Sequence, residues 1–164
     1  MNILLITTLG LFASSVSVPS DAAQLTINGP AKDVWAATVH EVTNRAPLKI
    51  IDRDSGTIST DTASIDIGFN NRGMSQYVTK LRGLAGALAT WDGLQVRLNV
   101  QVHEDTNNSS TVTVNAQFRA FENNAQHRWI DMSSNGMLEG QILNSIKTAM
   151  PKPAPEQDKT LSKP

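Results

Sequence analysis

The chain has 164 residues, no cysteine, and a formal net charge of −1 from basic and acidic side chains spread along its length. This length suits one domain with appendages, and the lack of cysteine excludes disulfides, a thiol nucleophile and cysteine-ligated metals. Nucleic acid is not an expected partner, because phosphate binding needs a concentrated basic surface.

Residues 1–22 are predicted to be a signal peptide. An apolar run from Ile3 to Ala13 is followed by small and polar residues, and Ser20-Asp21-Ala22 carries the small residues that a signal peptidase accepts. The run is too short to span a bilayer with margin. We therefore expect cleavage after Ala22 and an exported protein, periplasmic or extracellular, without a transmembrane segment after cleavage. The alternatives are an uncleaved membrane anchor and a buried N-terminal helix.

The mature chain is predicted to open with a strand and a helix. Gln24 to Asn28 is a strand candidate, and Asn28-Gly29-Pro30 is typical of a helix start. The helix is expected to run to about Arg45 and to lay one face on a sheet. That face comprises Trp35, Val39, Val42 and Ala46, with Val34 and Thr38 alongside.

A hairpin is predicted next. Leu48 to Asp52 and Thr57 to Asp61 flank a polar turn in which Gly56 supplies a positive φ. The spacing Asp52-x-Asp54-x-Gly56 is similar to the start of a calcium loop, but Ala63 stands at the twelfth position, where a bidentate Glu is needed. We therefore predict a plain turn, followed by a further strand with alternating apolar residues.

The segment 68–93 combines five of the ten glycines with large apolar residues and a slight positive bias. Its apolar content argues against disorder, and long connections within compact domains are usually functional or disordered. Helical spacing predicts a short helix from about Ser75 to Leu88, packed on the sheet; the alternative is a mobile lid or partner-docking flap. The candidate residues for contact with a partner or ligand are Phe69, Arg72, Met74, Tyr77, Lys80, Leu81, Arg82, Leu88 and Trp91.

Leu94 to Phe121 is predicted to be the central hairpin. Apolar and polar residues alternate along both of its arms, which is the period of a half-buried strand. The polar run from Glu104 to Ser110 has the composition of a connecting loop. One face of this sheet is therefore apolar and needs helices to cover it.

The domain is predicted to close with a strand over 126–132 and a helix from about Gly136 to Ala149. The apolar side of this helix comprises Leu138, Ile142, Ile146 and Ala149, backed by Leu143 and Met150. Glu139 lies in the first turn, where the helix dipole favours an acidic side chain. Residues 151–164 are charged and rich in proline, and are predicted to be a disordered tail.

This order of elements predicts one α+β domain over residues 23–150. We expect two layers, with a mostly antiparallel sheet of about 5–6 strands covered on one face by two long helices. Groups suited to catalysis are few. His40, His103 and His127 show no metal-ligand spacing, and the serines lack a nucleophile elbow. We therefore expect no enzyme activity and no cofactor.

Three features carry a resemblance: Val34-Trp35 on the first helix, the Asp52 to Asp61 hairpin with Gly56, and Ser134-Asn135-Gly136 before the last helix. Over roughly 24–150, the arrangement resembles small exported α+β domains of bacterial envelope proteins. Among these are the repeated domains of an accessory lipoprotein of the β-barrel outer-membrane assembly machinery. The resemblance implies a periplasmic, non-enzymatic protein that works by contact with an envelope protein. It does not extend to a lipid tether, because the lipid-accepting cysteine is missing.

Two functions are predicted. The first is an interaction module that docks on an envelope partner through an open sheet edge or through the 68–93 segment. The alternative is a binding protein for a small apolar ligand, held in a cavity between helix and sheet and gated by the same segment. The first is preferred because the core positions account for most of the large apolar side chains, which leaves few to line a cavity.

Overall fold

The structure is a computed structural model that describes residues 22–67, 73–79, 91–105, 108–123 and 127–151. The elements in chain order are β1 (Ala23–Asn28), α1 (Ala31–Thr43), β2 (Leu48–Asp52), β3 (Thr57–Thr60), β4 (Ala63–Ile65), a 3₁₀ helix (Met74–Gln76), β5 (Trp91–Glu104), β6 (Ser109–Glu122), β7 (Arg128–Met132) and α2 (Met137–Ala149). No helix in these ranges is long and apolar enough to cross a membrane. The predicted signal peptide, apart from Ala22, and the predicted tail beyond residue 151 lie outside the described residues.

The strands form one seven-stranded sheet in which β1, β6, β5, β3 and β2 follow one another. β4 pairs with β5 beyond the end of β3, and β7 pairs with β6 beyond the end of β1. Each of these pairings is antiparallel. The predicted α+β class is confirmed, with two helices packed on a mostly antiparallel sheet.

The β5–β6 hairpin is the centre of the sheet, and its predicted alternation is confirmed. The two strands pair from Trp91 opposite Glu122 to Glu104 opposite Ser110. The even-numbered side chains point to the helices, and the largest of them, Phe118, is 2% exposed. Burial of one such side chain contributes about 1.5–3 kcal/mol.

Helix α1 lies on this apolar face and contacts α2. Its buried side chains are Val34, Thr38 and Val42, whereas Trp35 and Val39 are only half-buried. Ala46, just after the helix, is also buried, so the predicted face is confirmed, with its centre at Val34 and Thr38 and with Trp35 and Val39 at its border. Thr38 fits the core because its hydroxyl donates to the Val34 carbonyl at 2.7 Å, which satisfies the polar group inside the helix.

Helix α2 buries the predicted residues Leu138, Ile142, Leu143 and Ile146. The prediction for Ala149 is wrong, since it is exposed and Met150 packs against the core in its place. One further buried residue, Glu139, was not expected in the core.

The predicted hairpin at Gly56 is confirmed as β2 and β3. Gly56 has a φ of 69°, and its carbonyl accepts a hydrogen bond from the Val102 N–H at 2.8 Å. A Cβ at this position would overlap the Val102 carbonyl. Glycine is therefore required both by the backbone angle and by the close approach of the turn to β5.

The helix predicted to begin near Ser75 does not form in the described part of the segment. A single 3₁₀ turn at Met74–Gln76 is followed by Val78, which forms a β-bridge with Ser134. The Thr79 N–H also donates to the Ser133 carbonyl at 2.9 Å. Pairing with the chain before α2 takes the hydrogen-bonding groups that a helix would need. Residues 80–90 lie outside the described residues.

Candidate functional site

The residues predicted to contact a partner fall into two groups. Phe69, Arg72, Lys80, Leu81, Arg82 and Leu88 lie outside the described residues. Met74 is buried, Tyr77 is half-buried and stacks on Phe118 with ring centroids 6.4 Å apart, and Trp91 packs against the core at the start of β5. The three described residues thus pack on the domain itself. The apolar cavity gated by this segment stays a prediction.

The face of the sheet that points away from the helices carries the odd-numbered side chains of β5 and β6. Cross-strand pairing places Gln95 opposite Arg119, Arg97 opposite Gln117, and Asn99 opposite Asn115. Directly opposite side chains lie close enough to contact each other. No helix of the described residues packs on this face, which is called the uncovered face below; it is an array of amide groups that contains two diagonal arginines.

The two arginines differ in their partners. The Arg119 Nε lies 3.2 Å from an Asp131 carboxylate oxygen across the β6–β7 pair. Arg97 is exposed and forms no ion pair within the part of the chain that the structure describes. The positive charge of Arg97 is therefore available to a ligand.

An aromatic cluster lies beside this array. Trp129 is 36% exposed, and its ring centroid is 5.3 Å from that of Phe121 on the neighbouring strand. The Arg119 guanidinium lies 6.0 Å from the Trp129 ring centroid, in cation–π range. The indole lies against Gly93, where a Cβ would be 3.6 Å from its Cη2 atom, and the indole remains partly exposed.

A cleft of about 640 Å³ opens on the uncovered face. Its polar lining includes Gln95, Arg97, Gln117, Arg119 and Asp131, and its far wall is the chain at 133–134. This volume lies in the range of small-molecule sites. The cleft is thus a polar site on the side of the sheet opposite to the helices.

The cleft reaches a gap along one edge of β6. β1 pairs with residues up to Val114 and β7 pairs from Phe118 onward, so neither strand pairs with residues 115–117. The Ala116 N–H instead donates to the Glu139 carboxylate at 3.3 Å. The other oxygen of Glu139 accepts from the Ser134 hydroxyl at 2.9 Å. At this gap, the buried Glu139 carboxylate therefore accepts a backbone hydrogen bond that a neighbouring strand could otherwise accept.

Sequence reasoning placed Glu139 in the first helical turn but not in the core. The signal was present, because Glu139, Ile142, Leu143 and Ile146 have the spacing of one helix face. The Ala116 N–H and the Ser134 hydroxyl supply the hydrogen bonds that a buried carboxyl group requires. Its role is to join α2 to the open edge of β6.

A second exposed feature is β2, which ends the strand order and pairs only with β3 among the described strands. Ile50 lies opposite Ser59 and Ile51 lies opposite Ile58, so the two side chains point to opposite faces. They are 50% and 51% exposed. The register shifts between Leu48 and Ile50, which leaves only the end of β2 regular. This end presents unpaired backbone groups flanked by two apolar side chains.

The Asp52 turn is a structural feature of the same hairpin. One Asp52 oxygen accepts from the Asp54 N–H at 3.1 Å, and the other accepts from the Ser55 hydroxyl at 2.8 Å. These bonds, led by that of the Ser55 hydroxyl, lower the pKa of Asp52. Within the described residues, no group of three or more His, Asp or Glu side chains could hold a metal ion.

The sequence matches no protein-family model, and a search of curated proteins found no match to it.

Proposed function

We propose that this protein is an exported, non-enzymatic interaction module of the cell envelope. It binds an extended segment of an envelope protein as an added strand along β2. The observation that carries the proposal is the end of β2, where the half-exposed Ile50 and Ile51 flank backbone groups that pair with no other described strand.

Strand addition uses two kinds of contact. Backbone hydrogen bonds along an open edge provide affinity, and the side chains on the two faces provide specificity. Natural edge strands are commonly blocked by charge, proline or a bulge. Pro47 precedes β2, and Lys49 and the shifted register lie in its first half, which leaves Ile50 and Ile51 without such a block. The added segment is therefore short and carries an apolar residue opposite each isoleucine.

The test is a photo-crosslinking amino acid placed at position 50 or 51 in the full chain, in living cells. Met137 is the matched control, because it is also 50% exposed but lies on α2. We expect one envelope protein to be crosslinked from positions 50 and 51 and not from 137. A synthetic peptide of the crosslinked segment should then slow hydrogen exchange at the amides of β2.

Strand addition along β2 determines both the positions that form crosslinks and the amides that are protected from exchange. Equal crosslinking from position 137, or a peptide that leaves the amides of β2 unprotected, would contradict strand addition. Ile51→Glu should weaken binding of that peptide about tenfold, whereas Met137→Glu should leave it unchanged. Export is tested separately by mass spectrometry of the protein from its host, where we expect a chain that begins at Ala23.

A further inference from the structure

We propose that the cleft on the uncovered face binds an acidic saccharide, that is, a chain of hydroxylated sugar rings that carries carboxylates. This site is separate from the β2 edge, and either proposal can fail without the other. Three properties of the face suit such a ligand: its hydrogen-bonding groups, its charge and its aromatic surface.

The hydrogen-bonding groups of the cleft suit a polyhydroxylated ligand. Gln95, Asn115 and Gln117 line it, and each amide offers both donors and an acceptor, as a sugar hydroxyl does. The apolar lining residues are all buried; they are Val96, Ala116, Phe118 and Met132. A protein partner would need open apolar pockets for its anchor side chains, whereas the exposed side chains that line this cleft are polar.

The charge of the cleft suits a carboxylate. Its charged lining residues are Arg97, Arg119 and Asp131, which sum to one net positive charge. Asp131 is paired with Arg119, so among the described lining residues the guanidinium without an ion pair is that of Arg97. A guanidinium pairs with a carboxylate through two parallel hydrogen bonds, which fixes the orientation as well as the position of the ligand.

The aromatic surface suits a sugar ring. Trp129 lies two residues from Asp131 on β7 and therefore on the same face of the sheet. Phe121 and Arg119 hold the indole in place. The indole lies beside Arg119, outside the lining of the cleft, and its exposed part gives the C–H face of a sugar ring that extends from the cleft a flat apolar contact.

The probes are hexagalacturonate, neutral maltohexaose and a hexaglutamate peptide, and each is titrated into the full-length protein with backbone NMR as the readout. We expect hexagalacturonate to shift the amide signals of β5 and β6 around Gln95, Arg97 and Gln117, and to bind at least about tenfold more tightly than either other probe.

Two variants locate the site. Arg97→Gln and Trp129→Ala should each weaken hexagalacturonate binding about tenfold. Arg128→Gln is the matched control, because its side chain points to the other face of β7. The control should change binding by less than about twofold.

Several results would overturn the assignment. Absence of binding at millimolar hexagalacturonate excludes the ligand class. Equal binding of hexaglutamate would assign the cleft to acidic peptides instead, and equal binding of maltohexaose would remove the role of Arg97. Unchanged affinity in Arg97→Gln, with unaltered signals elsewhere in its spectrum, would show that the ligand binds outside the cleft.

Discussion

The even-numbered side chains of the β5–β6 hairpin point to α1 and α2, whereas the odd-numbered ones lie on the opposite face, where five of them line the cleft. Both faces belong to the same backbone and the same register. On the covered face, each side chain has to fit its neighbours in shape and lack unpaired polar atoms. On the uncovered face, the alternation of apolar and polar residues requires only that the side chain be polar. The fold therefore does not determine whether an amide or an arginine stands at a given position, and function can select between them.

The contrast is greatest at two consecutive residues of β6. Phe118→Ala should lower the free energy of unfolding by about 3–5 kcal/mol, because it removes a fully buried ring that also stacks on Tyr77. Gln117→Ala, on the other face, should change it by less than about 0.5 kcal/mol. Urea denaturation of both variants measures the difference. Similar losses in both would mean that the uncovered face is also packed.

Glu139 sharpens the comparison, because it is a charged group on the covered face. Glu139→Leu leaves the Ala116 N–H buried without an acceptor, and should cost about 1–3 kcal/mol of stability. Glu139→Gln keeps an acceptor oxygen and should cost less. The free energies of unfolding of the two variants, measured by urea denaturation, show which substitution costs more stability. A Glu139→Leu variant more stable than the native protein would show that burial of the carboxylate costs more than its hydrogen bonds contribute.

Trp129 is the largest side chain on the uncovered face, and should contribute less than Phe118. Trp129→Ala removes the contact with Phe121 and the cation–π contact with Arg119, and we expect a loss of about 1 kcal/mol. Thermal unfolding monitored by circular dichroism is the measurement. A loss as large as that of Phe118→Ala would indicate a structural role for the indole and weaken its assignment to ligand binding.

The same contrast explains what the sequence could predict. The alternation from Leu94 to Phe121 and the spacing of Leu138, Ile142 and Ile146 are local patterns, and they led to the correct fold class. Full burial of Thr38, at the border of the predicted α1 face, was not predictable from spacing alone, because Thr38 becomes suitable for the core only through its bond to the Val34 carbonyl.

The candidate site was harder to predict than the fold. The cleft depends on where β1 ends and β7 begins along β6, and on Glu139 at the resulting gap. These are relations between residues far apart in sequence, which no local pattern encodes. The sequence drew attention to the 68–93 segment instead, because an unusual composition is visible without a structure. It anticipated an open sheet edge without identifying which strand would form it.

The turn after β2 lies on neither face of the β5–β6 hairpin. We expect the smallest effect of a substitution on stability at this turn. Because the folded state lowers the pKa of Asp52, its hydrogen bonds contribute stability above the pKa of the unfolded chain, and that contribution is lost as the pH falls through the folded-state pKa. Ser55→Ala removes the main donor and should raise the pKa of Asp52 in a carboxyl NMR titration. The pH-dependent part of the stability difference between native protein and variant should be present at neutral pH and vanish in acid. An unchanged Asp52 pKa in the variant would contradict the assignment of the shift to the Ser55 hydroxyl.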